Sequence, residues 1–200
     1  MPIVPEFIPR KLLPVFCVLD IPMSMDEEQI TRVNTIMLEM VDLLREKANK
    51  LYSSELRIAV LQSYGTSQWL TDGLISPEDF SWQGLKASGA SNFGDTLNEL
   101  NNKLSRKQFL ISEVGFKAPV IIFMNGNGPK DDYESALNKI KSTNNWFKAS
   151  TKIVAAVGND ANVQVLQEIT GNKEAVIKVN DEESTKSLME IIRKAMKIYF

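Results

Sequence analysis

Three short loops hold the oxygen-bearing side chains that could do chemistry. The first is Asp20-Ile21-Pro22-Met23-Ser24, where Asp20 closes the apolar run Val15–Leu19. The second is Ser88-Gly89-Ala90-Ser91-Asn92-Phe93-Gly94, which feeds a helix pattern. The third is Asn125-Gly126-Asn127-Gly128, which follows the apolar run APVIIFM. Carboxylate, hydroxyl and amide oxygens are hard donors, and they suit Mg2+ rather than a soft metal. With no histidine in the chain, a His-based triad, a His metal ligand and a His general base are all excluded. A hydrolase or phosphotransferase built on Asp20 would need a second acid or a lysine aimed at the same point. The loops offer only Asp95 and Asp131, both expected at helix starts. The expectation is therefore a binding protein and not an enzyme.

These loops can meet only if the intervening elements bring them to one edge. Val15–Leu19, Leu56–Tyr64, Ala118–Met124, Lys152–Val157 and Ala175–Val179 read as strands, and Ser67–Leu70 and Phe80–Trp82 as weaker ones. Between them, Ile30, Val33, Met37, Met40, Val41 and Leu44 repeat at helical spacing from Asp26 to about Asn49. Leu97, Leu100 and Leu104 mark a second helix from Phe93. Further helices are expected at Asp131–Asn145, at Val163–Ile169 and at the C-terminus, where Leu188, Ile191, Ile192, Ala195 and Tyr199 share a face. Residues 105–117 read as an extended connection.

Alternation of this kind predicts an α/β fold: a doubly wound, mostly parallel six-stranded sheet with one antiparallel edge strand and helices on both faces. In such sheets ligands bind outside the carboxyl ends of the strands, where all three loops would lie. Residues 1–11 read as an extended lead-in, and 12–200 as a single domain.

Bulk properties narrow the partners. The chain has 200 residues, a hydrophobic share of 44% and a net charge of -2, enough for one core and too acidic for a broad nucleic-acid footprint. No apolar stretch is long enough to span a bilayer. Arg10 and Lys11 precede a short apolar run, but Pro14 and Asp20 interrupt it and no small-residue cleavage site follows. The expectation is a cytoplasmic protein with protein partners, without nucleic acid or membrane. The single cysteine, Cys17, reads as a buried reduced thiol. No Walker or dinucleotide glycine motif follows a strand.

The order of loops and strands resembles the von Willebrand factor A (vWA) family over nearly the whole chain, most closely its small bacterial tellurite-resistance, TerY-like type. That family ends its first strand in Asp-x-Ser-x-Ser, the metal-ion-dependent adhesion site. Asp20 matches the Asp and Ser24 the second Ser, whereas Pro22 stands at the first Ser. Ser91 matches a Thr supplied by a later loop. Asn125-Gly126-Asn127, followed by Pro129, Asp131 and Asp132, corresponds to the family's Thr-Asp-Gly segment. Gly126 takes the place of its Asp, or Asn125 does if the register slips by one. The resemblance implies a partial metal site of Asp20, Ser24 and Ser91, with Asn125 or Asn127 offering an amide oxygen. One formal charge then replaces two, so Mg2+ binding is expected to be weak or absent. It also implies protein binding at the rim, possible context being tellurite resistance or a stress response.

Local structure explains several of these residues without any site. Ser24-Met25-Asp26-Glu27 fits an S-x-x-E capping box. Asp26, Glu27, Glu28, Asp131 and Asp132 suit first helical turns, and Asn92 suits an N-cap. Trp69, Trp82 and Trp146 read as packing residues, the first two near a sheet edge. Met23 and Met25 are expected exposed at the rim, where methionine adapts to varied partner surfaces.

Overall fold

Continuous apolar runs become the inner strands, because strands covered on both faces need apolar side chains in both directions. The computed structural model describes residues 9–51, 53–63, 65–86, 89–172 and 175–197. Most of the lead-in, Tyr64, Ser88 and Tyr199 lie outside the described residues.

The elements run β1 (Lys11–Asp20), α1 (Glu27–Ala48), β2 (Ser54–Ser63), β3 (Ser67–Trp69), α2 (Phe93–Lys103), β4 (Val120–Asn125), α3 (Tyr133–Thr143), α4 (Asn145–Ala149), β5 (Thr151–Val157), α5 (Val163–Thr170), β6 (Val176–Val179) and α6 (Glu182–Lys197). One six-stranded sheet has the order β3-β2-β1-β4-β5-β6. Only β3 is antiparallel, against β2. This is the doubly wound arrangement the alternating pattern predicts.

Successive residues of β1 point to opposite faces, and each set enters its own core. Leu13, Val15, Cys17 and Leu19 pack with α1 and α6 residues such as Met37, Met40, Leu188 and Ile192. Phe16 and Val18 pack with α2, α3 and α5 through Leu97, Leu137 and Leu166. Cys17 is fully buried, and burial pushes its thiol far above the ordinary range. Trp69 stacks edge-on with Phe16 and Phe109, and Trp146 with Phe116, so both are packing residues.

Three local expectations need correction. Phe80–Trp82 is not a strand: among the described residues between β3 and α2, the isolated pairing with the sheet is the bridge Ile75–Ile58. Side chains from α1 hold it instead. Arg45 donates to the Pro77 and Phe80 carbonyls, and Asn34 bonds Leu85 and Trp82. The helix expected over 131–145 divides, because Asn144 ends α3 and caps α4 by accepting from Trp146 and Phe147 N–H. Finally, α1 is capped by Asp26 and not by Ser24. Asp26 accepts from Gln29 N–H while the Gln29 side chain accepts from Asp26 N–H. Glutamine at the third helical position closes this box two residues later than the Ser-x-x-Glu pattern indicates.

Candidate functional site

The chain leaves β1 toward β2 on one side and returns to β4 on the other. The crevice between β1 and β4 is therefore the topological switch point, where ligands of open α/β sheets bind. Asp20 and Asn125 end these strands and face each other in the parallel register. Ser63, at the end of β2, is the register partner of Asp20 on the other side.

Backbone bonds then tie the loops together. Ile21 N–H donates to Ser63 O and Gly126 N–H to Asp20 O, which extends both ladders past the strand ends. Met23 N–H donates to Gly89 O, Gly65 N–H to Ala90 O and Lys130 N–H to Ser91 O. The 89–92 segment is thus the hub on which the loops after β1, β2 and β4 converge.

At the centre, Asp20 Oδ2 accepts from Ser91 Oγ at 2.6 Å and from Asn125 Nδ2 at 2.6 Å. Asp20, Ser63, Ser91 and Asn125 are all buried. Asp20 Oδ1 and Ser63 Oγ have no hydrogen-bond partner among the described residues. Burial pushes the Asp20 carboxyl up to about 6, and the Asp131 charge adds to the rise, while the hydrogen bonds from Ser91 and Asn125 pull it back. Desolvation dominates, as it does wherever a carboxylate is removed from water with few donors.

The other rim residues have separate tasks. Ser24 Oγ accepts from Asn127 Nδ2 at 2.6 Å, and Asn127 Oδ1 accepts from Gly128 N–H. This pair links the loops after β1 and β4 outside the Asp20 cluster. The Asn92 side chain donates to Gly65 O and makes no cap bond to its own helix. Asp131 accepts from Gly94 and Asp95 N–H, so it caps α2 from the loop before α3. Met23 is 71% exposed, as expected of a rim residue. Met25 is not: it is buried and packs over Gly126. A Cβ at residue 126 would lie 2.1 Å from Met25 Sδ, which is why glycine stands there. Asn125 and not Gly126 therefore reaches Asp20, and it presents its amide N–H rather than the oxygen expected. Ser63 is the member of the cluster that motif reasoning missed; its place opposite Asp20 in a β1–β2 pairing was the available signal.

The order of strands, the antiparallel edge and a switch-point site at the end of β1 define the fold of a vWA domain. Solved structures agree. A mussel byssus protein, proximal thread matrix protein 1 with a zinc-occupied MIDAS motif, matches with TM-score 0.63 and 13% identity over 92% of this chain and 47% of its own. A von Willebrand factor type A protein from Catenulispora acidiphila matches with TM-score 0.60 and 14% identity over 94% of this chain and 42% of its own. BatB from Bacteroides thetaiotaomicron matches with TM-score 0.57 and 16% identity over 92% of this chain and 99% of its own. The likeness at these identities is one of fold, and the chain spans about half the length of the first two. No protein-family model matches the sequence, and no curated protein matches it. Among the described residues no helix is long and apolar enough to cross a membrane.

Proposed function

We propose that this chain is a non-enzymatic protein-interaction domain of vWA fold, which binds a protein partner at the rim around Met23 without needing a divalent cation. The observation that carries the reading is the double engagement of Asp20 Oδ2 by Ser91 Oγ and Asn125 Nδ2, both at 2.6 Å. A hard cation requires oxygen lone pairs directed at it. Here the one central carboxylate has a hydroxyl and an amide N–H directed at it, and among the cluster's described residues only its buried Oδ1 and Ser63 Oγ are left unpaired, too few oxygens for a hard cation. Pro22 offers no hydroxyl, and Ser24 is bonded to Asn127. The residues present do not fit Mg2+ in this arrangement. The Asn125 amide supplies internally a positive partner for Asp20. Exposed Met23 on a braced loop supports rim binding, since a flexible thioether adapts to a partner surface. A cytoplasmic, TerY-like role in tellurite resistance or stress response extends this reading and rests on sequence resemblance.

Calorimetric titration with Mg2+ and with Mn2+ tests metal independence, and no saturable heat is expected in the submillimolar range. A submillimolar dissociation constant for either ion would overturn it. For the rim, partner capture in the presence of EDTA should persist with the wild-type chain and be lost with Met23→Asp.

A further inference from the structure

A second concave site lies on the α1 face of the sheet, beside the antiparallel edge. It is a cavity of about 400 Å³ beneath residues 80–86, floored by Gln62 and walled by Leu70, Phe80, Trp82 and Leu85, with Lys86 also lining it. We propose that this cavity binds a peptide segment of a protein partner through one bulky apolar side chain, with a neighbouring N–H donated to Gln62 and an acidic group paired with Lys86. The proposal goes beyond the rim reading and does not rest on Asp20.

Four observations carry it. First, the floor is chemically unfinished. Gln62 is only 9% exposed, and its Oε1 is buried without a hydrogen-bond partner among the described residues. A buried acceptor left unpaired is costly, and a donor in the cavity pairs with this one once the Gln62 amide turns toward it. Second, the walls are mainly apolar, with Ser81 and Gln83 among the lining residues, and of a size that suits one large side chain, the usual composition of a ligand pocket. Third, the cavity is preformed. The Trp82 indole N–H donates to Asn34 Oδ1 at 3.2 Å, and Leu85 is held through both its N–H and its carbonyl by the same Asn34 side chain. Arg45 fixes the Phe80 carbonyl at 2.7 Å. A rigid wall lowers the ordering cost of binding. Long connections without secondary structure in compact domains are commonly functional, and this one is braced in place.

Fourth, Lys86 is exposed and is the one charged residue among those lining the cavity. That bias favours an anionic neighbour to the apolar group. Leu70 follows directly on edge strand β3, so the cavity sits at the margin of the sheet, where a chain can continue past it. The C-terminal residue of a partner chain offers all three features at once: an apolar side chain, a backbone N–H and an adjacent carboxylate.

N-acetyl-L-tryptophan carries these groups and serves as the probe, with its C-terminal amide and free indole as controls. An NMR titration of the full chain reads the Trp82 indole and Gln62 side-chain resonances. Saturable shifts at both are expected at millimolar probe, with binding at least about fivefold weaker for Gln62→Leu. Lys86→Gln should weaken the acid by about threefold or more and leave the amide unchanged. Lys86 is exposed, so that variant remains informative if Gln62→Leu folds poorly. No saturable shift at Trp82 overturns the proposal. So does equal binding by free indole, which would mean a merely apolar hollow, or affinities that neither substitution changes.

Discussion

Asp20 makes the protein sensitive to pH in a definite direction. Its carboxyl is raised by burial from 3.8 to about 6. Between these values the native state holds a proton that the unfolded chain has released, so stability falls as pH rises through that window and the loss is complete above it. The difference corresponds to a cost on the order of 3 kcal/mol at neutral pH. Asp20→Asn should remove this slope. Chemical denaturation at pH 4 and pH 7 checks it: the variant should gain relative to wild type at the higher pH, and a constant difference would contradict the assignment. A second residue-scale prediction concerns Gly126. Gly126→Ala should cost roughly 1–3 kcal/mol, because the new methyl meets the Met25 side chain and overpacks the site. Met25→Ala combined with it should recover part of that loss, giving the non-additivity expected of residues in contact. A double-mutant cycle by thermal melting measures it.

At the scale of elements, legibility followed the length over which a pattern repeats. β1 and α1 are long and strongly periodic, and both emerge where apolar spacing places them. Phe80–Trp82 has strand-like residue types but no partner strand. Its Phe80 carbonyl accepts from Arg45 and its Trp82 indole donates to Asn34 instead, through tertiary contacts that no local pattern encodes. Met25 was misplaced for a similar reason. Its neighbours in sequence are polar and exposed, while its burial is set by Gly126, a distant residue. The Asp20–Ser91 pairing was legible through the family motif, whereas the direction of the Asn125 amide depends on the β1–β4 register. A prediction belongs to the 70–92 connection. Asn34→Ala removes three hydrogen bonds to it and should destabilise by roughly 1–3 kcal/mol. Amide exchange at residues 80–86 should accelerate, with the exchange of β1 and β4 little changed. Uniform acceleration would mean that the connection opens only with the whole domain.

For the whole molecule, the placement of β1 matters most. It lies between β2 and β4 and divides the two apolar clusters. Helices α1 and α6 cover one face, and α2 to α5 the other. The two candidate sites are thus separate: the carboxyl edge presents the Asp20 rim, while the flank beside β3 presents the Gln62 cavity. Gln62 and Ser63 are successive residues of β2, so their side chains point to opposite faces of the sheet.

The buried thiol in the middle of β1 turns this arrangement into a built-in clock. Cys17 is the chain's only cysteine and has no exposed surface. A disulfide reagent reaches it only when the central strand is uncovered, and that requires separating the helical layer above it. Its modification rate therefore counts openings of the core, while fraying of loops or rim goes unrecorded. Labelling of the native chain should be slower than that of the denatured chain by a factor close to the unfolding equilibrium constant when reclosing is fast. Comparing the two rates in rising denaturant checks this, and fast labelling without denaturant would reveal a local route to the strand. Each variant described above can be ranked by the same signal, with no probe attached.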